Sequence, residues 1–137
     1  VEEKFIIDVV NVMREPSCDT SGYLTMIIHS HPAHRSLRDP LRQTWASKQK
    51  WVKTRTVFIL GKPSQSSLKI DIENEALEHK DILQGDFTDS YRNLTYKHLF
   101  GYNWLARSCS KTEFVLKTDD DQFVDTFHLP RYLTNLI

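Results

Sequence analysis

Short, nearly continuous apolar runs alternate with longer amphipathic stretches along most of this chain. The first run covers residues 23–30 (YLTMIIHS) and the second covers residues 55–60 (RTVFIL). A shorter run follows at residues 81–83, and the last, at residues 113–118 (EFVLKT), ends directly before three aspartates. Apolar runs rich in β-branched residues are typical of strands that are buried on both faces of a parallel sheet.

Helical spacing of apolar residues follows each of the first three runs, and a proline near the end marks a fourth helix. The predicted helices begin near Leu41, at residues 64–67, at Asp89 or Ser90, and at Pro130. This alternation predicts an α/β fold, a Rossmann-like parallel sheet with helices on both faces. We expect one domain over residues 1–137, with residues 1–20 as an irregular lead-in. The last helix has no cap, so we expect the fold to continue in a longer protein.

The composition excludes some classes of function. The 137 residues include 18 basic and 18 acidic side chains, so the formal net charge is zero. A chain without excess positive charge lacks the electrostatic signature of nucleic-acid binding. No apolar run approaches the roughly 18 residues of a membrane-spanning helix. We therefore expect no nucleic-acid partner, and any anion-binding site must be local.

Three consecutive carboxylates, Asp119, Asp120 and Asp121, stand between an apolar strand and the apolar tripeptide QFV. If the strand geometry continues, Asp119 and Asp121 project to one face and Asp120 to the other. Two carboxylates on one face stay ionised when a cation joins them, and oxygen ligands favour Mg²⁺ or Mn²⁺. The alternative, in which the aspartates are caps and turn residues, stays open on the pattern alone.

Topology adds a second argument for a site at the triplet. In a doubly wound sheet of order 3-2-1-4, the first and fourth strands are neighbours, and ligands bind at their carboxyl ends. The triplet follows the fourth run, and a loop with Arg35, Arg38 and Arg42 follows the first. We therefore expect cation ligands and phosphate partners to meet in one crevice.

The two cysteines, Cys18 and Cys109, precede the first and fourth runs by five and four residues. Two unrelated buried thiols are the plain alternative. Because the amino ends of adjacent parallel strands lie side by side, the topology favours a disulfide. A disulfide indicates an oxidising compartment.

Five short segments stand in order along the chain. They are RDPLRQTW (38–45), FILG (58–61), DFTDSYRNLTYK (86–97), Trp104 with Cys109, and FVLKTDDDQFV (114–124). Together they resemble glycosyltransferase family 31, which contains the β-1,3-galactosyltransferases and β-1,3-N-acetylglucosaminyltransferases. His79, Gln122 and Asp125 depart from the family pattern, which leaves the subfamily open.

The resemblance implies an A-type glycosyltransferase fold, of which residues 1–137 form the N-terminal, nucleotide-sugar-binding half. The missing C-terminal part would carry the general base. The implied reaction moves galactose, or N-acetylglucosamine, from a UDP-sugar to a glycan hydroxyl in β-1,3 linkage, with inversion and with Mn²⁺ or Mg²⁺. The resemblance also implies the Golgi lumen and a membrane anchor upstream of this chain.

The positions that match the family pattern imply roles for individual residues. The resemblance implies Asp121 and Asp119 as metal ligands, with Asp119 also the ribose contact. The full set expected to bind the nucleotide sugar is Asp119, Asp120, Arg38, Arg42, Lys97 and Asp86.

Several of these residues have plainer interpretations. Arg38 or Arg42 could instead pin its helix to a carboxylate. Lys97 could be a solvated lysine of a long helix, and Asp86 could cap the helix that follows.

Two further motifs carry weaker signals. Asn93 begins an N-glycosylation sequon, Asn-Leu-Thr, which we expect to be unoccupied because Leu94 belongs to an apolar stripe. His29, His31 and His34 lie within six residues but lack a second ligand cluster, which disfavours zinc.

Two rival functions remain at this stage. One is a non-catalytic carbohydrate-binding or scaffold module with the same fold, which the intact triplet disfavours. The other is a carboxylate-metal phosphohydrolase, which is disfavoured because the sequence shows no strand-end nucleophile and no second metal cluster.

Overall fold

The computed structural model describes residues 11–18, 22–47 and 53–136, and it is a five-stranded sheet with helices on both faces. The strands are β1 (Val12–Arg14), β2 (Leu24–His29), β3 (Thr54–Lys62), β4 (Ile82–Thr88) and β5 (Phe114–Asp119). The helices are α1 (Arg35–Gln43), α2 (Ser67–His79), α3 (Leu94–Ser108) and α4 (Leu129–Thr134), with a 3₁₀ turn at Tyr91–Asn93.

The strand order is β1-β4-β3-β2-β5. Strands β4, β3, β2 and β5 are parallel, and they follow the order that the four apolar runs predict. The first and fourth predicted strands are β2 and β5, and they pair from Leu24 with Phe114 to His29 with Asp119. Their carboxyl ends therefore lie side by side, as the crevice argument requires.

Side chains of the central strands pack into two separate hydrophobic cores, one on each face of the sheet. On one face, Ile27, Val57 and Ile59 pack against Phe100 and Trp104 of α3. On the other face, residues of the same strands pack with α1 and α2, and with partly buried side chains of α4: Met26, Ile28, Phe58, Leu60, Leu41, Ile72, Leu129 and Leu133. Strand alternation distributes the continuous apolar runs over both faces, which explains why helices cover both sides.

Several features differ from the sequence prediction. The first helix, expected to begin near Leu41, begins at Arg35 and ends at Gln43. Part of the expected irregular lead-in forms a strand, since Val12–Arg14 pairs antiparallel with β4. The third strand, predicted at residues 81–83, is longer than predicted and runs from Ile82 through Gly85 to Thr88. A β-carbon at position 85 would lie 2.5 Å from the Phe87 ring, so glycine here admits an aromatic side chain and does not end the strand.

The cysteine pair is joined as the strand positions suggest. Cys18 and Cys109 form a disulfide with a Cα–Cα distance of 5.2 Å. Cys109 is buried in the core under α3, and Cys18 packs against that core. The bridge ties the segment before β2 to the end of α3.

Candidate functional site

A crevice of about 280 Å³ opens at the carboxyl ends of β2 and β5. One wall consists of Asp119 at the end of β5 and the two aspartates that follow it, and the other carries Ser30, His31 and His34 from the loop after β2. Lys97 of α3 and His29 at the end of β2 lie between them. The structure thus places the aspartate triplet at the strand ends that the topology predicts, and it brings Lys97 into the same crevice.

The aspartates do not alternate as an extended strand would. Strand β5 ends at Asp119, and Asp120 and Asp121 lie in a turn in which the Gln122 amide donates to the Asp119 carbonyl. All three residues line the crevice, so the expectation that Asp120 faces away is wrong. The side chain of Asp119 is 53% exposed, whereas that of Asp120 is 10% exposed.

The Asp120 carboxylate is held by the opposite wall. Its Oδ2 accepts a hydrogen bond from Ser30 Oγ at 2.8 Å and lies 3.0 Å from His34 Nδ1. Asp119 and Asp121 stay open to solvent, apart from a 3.5 Å contact between Asp119 and Lys117. The triplet therefore divides into one anchored carboxylate and two accessible ones.

Lys97 is buried and fully engaged by this site. Its ammonium donates to the Ser30 carbonyl and lies 3.1 Å from both oxygens of Asp89, which also accepts from the Gly61 amide. Burial lowers the pKa of Lys97, and the Asp89 carboxylate opposes that effect. Asp89, which the sequence suggests only as a helix cap, is instead the counter-ion of this lysine.

Arg38 and Arg42 do not line the crevice, which corrects the expectation that they face a diphosphate. Arg38 is fully buried and donates to both oxygens of Glu75 at 2.7 Å, to Ser30 Oγ and to two backbone carbonyls. Arg42 donates to Asp81, Asp39 and Glu75. Both arginines pin α1 to α2 through the buried Glu75, and Arg42 also joins α1 to Asp81, the residue before β4.

Asp86 and Asn93 also lie apart from the triplet. Asp86 is exposed within β4, two strands away from β2, and pairs with Lys62 at 2.7 Å. Its expected contact with a nucleotide is therefore not supported. Asn93 is half-buried, and its side-chain amide nitrogen donates to the Thr88 carbonyl at 3.0 Å. This bond engages the nitrogen that glycosylation would modify.

The two solvent-accessible carboxylates, Asp119 and Asp121, suit a hard cation, although two protein ligands are a small number for a metal site. In the part of the chain that the structure describes, no group of three or more histidine, cysteine or acidic side chains converges on a metal-sized point. Mg²⁺ in phosphate-binding sites is commonly held by one or two carboxylates, with substrate phosphates and water completing the shell. Asp119 and Asp121 are the side chains here that match such a set.

His29 makes the unfolding free energy of the protein depend on pH in the acidic range. Burial lowers its pKa to about 3, and Lys117 and Lys97 add to the effect. The unfolded chain takes up a proton near the ordinary pKa of about 6.5, and the folded chain does not. Folding is therefore favoured above that pH, and this contribution is lost as the pH falls from about 6.5 towards 3.

We expect His29→Gln to remove part of this acid sensitivity. Between pH 7 and pH 5 the unmodified protein should lose about 2 kcal/mol more unfolding free energy than the variant. Urea unfolding at the two pH values measures the difference. His31 and His98, whose pKa values burial also lowers, remain in both proteins, so the comparison reports the contribution of His29 together with its contact with His98. Equal pH dependence of the two proteins would contradict the role of His29.

Comparison with known proteins agrees with this architecture. The model of the family described as galactosyltransferase matches residues 36–137. Mouse beta-1,3-galactosyltransferase 4 is 37% identical over 126 residues, which cover 88% of this chain and 33% of that protein. Human UDP-GalNAc:beta-1,3-N-acetylgalactosaminyltransferase 1 is 35% identical over 119 residues, covering 83% of this chain and 36% of that protein.

A further relative, gorilla beta-1,3-galactosyltransferase 5, is 35% identical over 133 residues, covering 93% of this chain and 43% of its own length. The chain thus spans between about a third and two fifths of the length of these relatives. Among the described residues, helices long and apolar enough to cross a bilayer are absent. The family match covers most of the chain and includes Lys97 and the aspartate triplet, so this chain belongs to the galactosyltransferase family.

Proposed function

We propose that this chain is the donor-binding part of a β-1,3-hexosyltransferase, which moves galactose or a related hexose from a UDP-sugar to a glycan hydroxyl. The observation that carries the proposal is the pair of accessible carboxylates, Asp119 and Asp121, at the carboxyl ends of two adjacent parallel strands. Nucleotides bind at this position in open α/β sheets. Three relatives with printed galactosyl- or N-acetylgalactosaminyltransferase names support the same class of reaction.

In this proposal Asp121 and Asp119 hold Mn²⁺ or Mg²⁺, with the donor diphosphate completing the shell. The cation supplies neutralising charge for the leaving diphosphate. Asp119 is placed to contact the ribose as well. Lys97 lies at the floor of the crevice and neutralises Asp89 beside it, so that carboxylate adds no net negative charge to what an incoming diphosphate meets.

The described residues orient the donor and do not supply an assigned general base. We propose that the base, the acceptor site and a membrane anchor belong to other parts of the natural polypeptide. Transfer to the face opposite the leaving group would then invert the anomeric centre. The Cys18–Cys109 disulfide supports residence in an oxidising compartment, for which we propose the Golgi lumen.

Asp121→Asn tests the metal-supported donor site. This change keeps the shape of the side chain and removes one charge, so UDP binding with Mn²⁺ should weaken by roughly 2–4 kcal/mol, about 30- to 800-fold. Calorimetric titration of UDP into the natural full-length polypeptide, with Mn²⁺ and then with chelator, measures this loss. The unmodified protein should bind UDP far more weakly in chelator, because two carboxylates repel an unscreened diphosphate.

A matched control is Asp71→Asn, the same chemical change at an exposed position on α2. It should leave UDP affinity unchanged. Asp120→Asn is not a neutral control, because Asp120 is anchored to Ser30 and His34. UDP affinity that is the same with Mn²⁺ and with chelator would refute the metal site and favour the non-catalytic scaffold.

A further inference from the structure

The Ser30 hydroxyl joins the buried ion pair of α1 and α2 to the aspartate triplet. Arg38 Nη1 lies 3.0 Å from Ser30 Oγ, and Ser30 Oγ lies 2.8 Å from Asp120 Oδ2. Arg38 is itself fixed by Glu75, which is almost completely buried. A continuous chain of hydrogen bonds therefore runs from Glu75 of α2 through Arg38 and Ser30 to the turn after β5.

The direction of these bonds is determined by chemistry. A guanidinium can only donate, so Ser30 Oγ must accept from Arg38. The single hydroxyl hydrogen of Ser30 is then directed to Asp120, whose carboxylate can only accept. Each bond involves an ionised partner, and such bonds are stronger than neutral ones.

Other contacts of Ser30 leave its position well determined. Its amide donates to the Ile59 carbonyl of β3 at 3.1 Å, and its carbonyl accepts from the Lys97 ammonium. The residue is buried. Ser30 is thus held by β3, α1 and α3 before it contacts Asp120, and it can act as a fixed reference point.

The turn after β5 depends on Asp120 for its attachment to the opposite wall. Ladder pairing between β2 and β5 ends at His29 and Asp119. Beyond it, the hydrogen bonds that cross the crevice between described residues all involve Asp120: its amide donates to the His29 carbonyl, and its carboxylate contacts Ser30 and His34. Asp119 and Asp121 flank this anchored residue on either side.

We propose that Ser30 is a positioning residue, which holds Asp120 and thereby sets Asp119 and Asp121 in the geometry that receives a metal-bound diphosphate. The inference rests on the proposed function, because it assigns to Ser30 a role in that same site. Small displacements of ligands at such sites are costly, since binding groups must be held within a fraction of an ångström.

Ser30→Ala tests the inference by removing the bond to Asp120, together with the bond from Arg38, without changing any charge. In the natural full-length polypeptide it should weaken Mn²⁺-supported UDP binding about tenfold or more, as expected for a lost hydrogen bond to a charged group. Ser36→Ala, the same change at an exposed position on α1, should have no effect. Urea unfolding without metal shows whether each variant is folded.

A double-substitution cycle with Asp120→Ala separates positioning from general damage. If Ser30 acts through Asp120, Ser30→Ala should cost little further UDP affinity once Asp120 is alanine. Should Ser30→Ala fail to fold, Asp120→Ala removes the same bond from the other side and must itself weaken UDP binding. Full additivity in the cycle, or unchanged affinity in the folded Ser30→Ala variant, overturns the inference while the proposed function stands. Absence of metal-supported UDP binding in the unmodified protein overturns both.

Discussion

Replacing Glu75 by glutamine is expected to lower the free energy of unfolding by about 3–5 kcal/mol. Glu75 is the counter-ion of Arg38, and both side chains are buried. Burial raises the pKa of the Glu75 carboxyl, but hydrogen bonds from Arg38 and Arg42 outweigh burial and hold the pKa below its ordinary value. Arginine cannot lose its proton in a protein, so glutamine would leave a buried cation without its carboxylate.

The matched control is Glu78→Gln, the same change one helical turn later. Glu78 pairs with Arg35, but its side chain is 61% exposed, so its loss should cost less than about 1 kcal/mol. Urea unfolding followed by tryptophan fluorescence measures both variants. Similar losses of unfolding free energy in the two variants would show that the buried pair does not stabilise the packing of α1 against α2.

A second variant distinguishes the loss of charge balance from the loss of the pair itself. Arg38→Met combined with Glu75→Leu replaces both partners by apolar side chains, and such replacements recover much of the stability lost when one partner is removed. The double variant should therefore be more stable than Glu75→Gln. It would still lack the donor that Arg38 provides to Ser30.

The sheet could be predicted because its signals are strong and local. Continuous apolar runs marked β2, β3 and β5, and the rule for doubly wound sheets supplied their order. Strand β1 gives no such signal. Its three residues are too few to show a periodic pattern, and Val12 and Met13 are exposed. Its pairing with β4 depends on backbone hydrogen bonds, which the side chains do not reveal.

The position of the site was more predictable than the roles of its residues. The strand-end rule places the aspartates, but the alternation of side chains stops where β5 stops, at Asp119. Arg38 and Arg42 lie four residues apart on a helix, and this spacing does not say what the helix face contacts. The partner that decides their role, Glu75, lies 37 residues after Arg38. Such a pairing becomes visible only when α1 and α2 are packed.

Removing the disulfide should have an effect of comparable size, about 4–5 kcal/mol of unfolding free energy in the Cys18→Ser, Cys109→Ser double variant. The bridge closes a loop with a sequence separation of 91, and the chain-entropy argument assigns this cost to the greater freedom of the unfolded chain. The double substitution is preferable to a single one, because a lone buried thiol could form new pairings.

Denaturation of both proteins with and without reductant provides the control. The unmodified protein should lose stability in reductant until it approaches the double variant, whereas the variant should be insensitive. The effect should lie in stability and not in donor binding, because the bridge sits at the amino ends of β2 and β5, and the crevice lies at their carboxyl ends. Equal unfolding free energies in oxidising and reducing buffer would show that the bridge contributes little. A fall in Mn²⁺-supported UDP affinity at temperatures where the variant is folded would show instead that strain at one end of the sheet reaches the other.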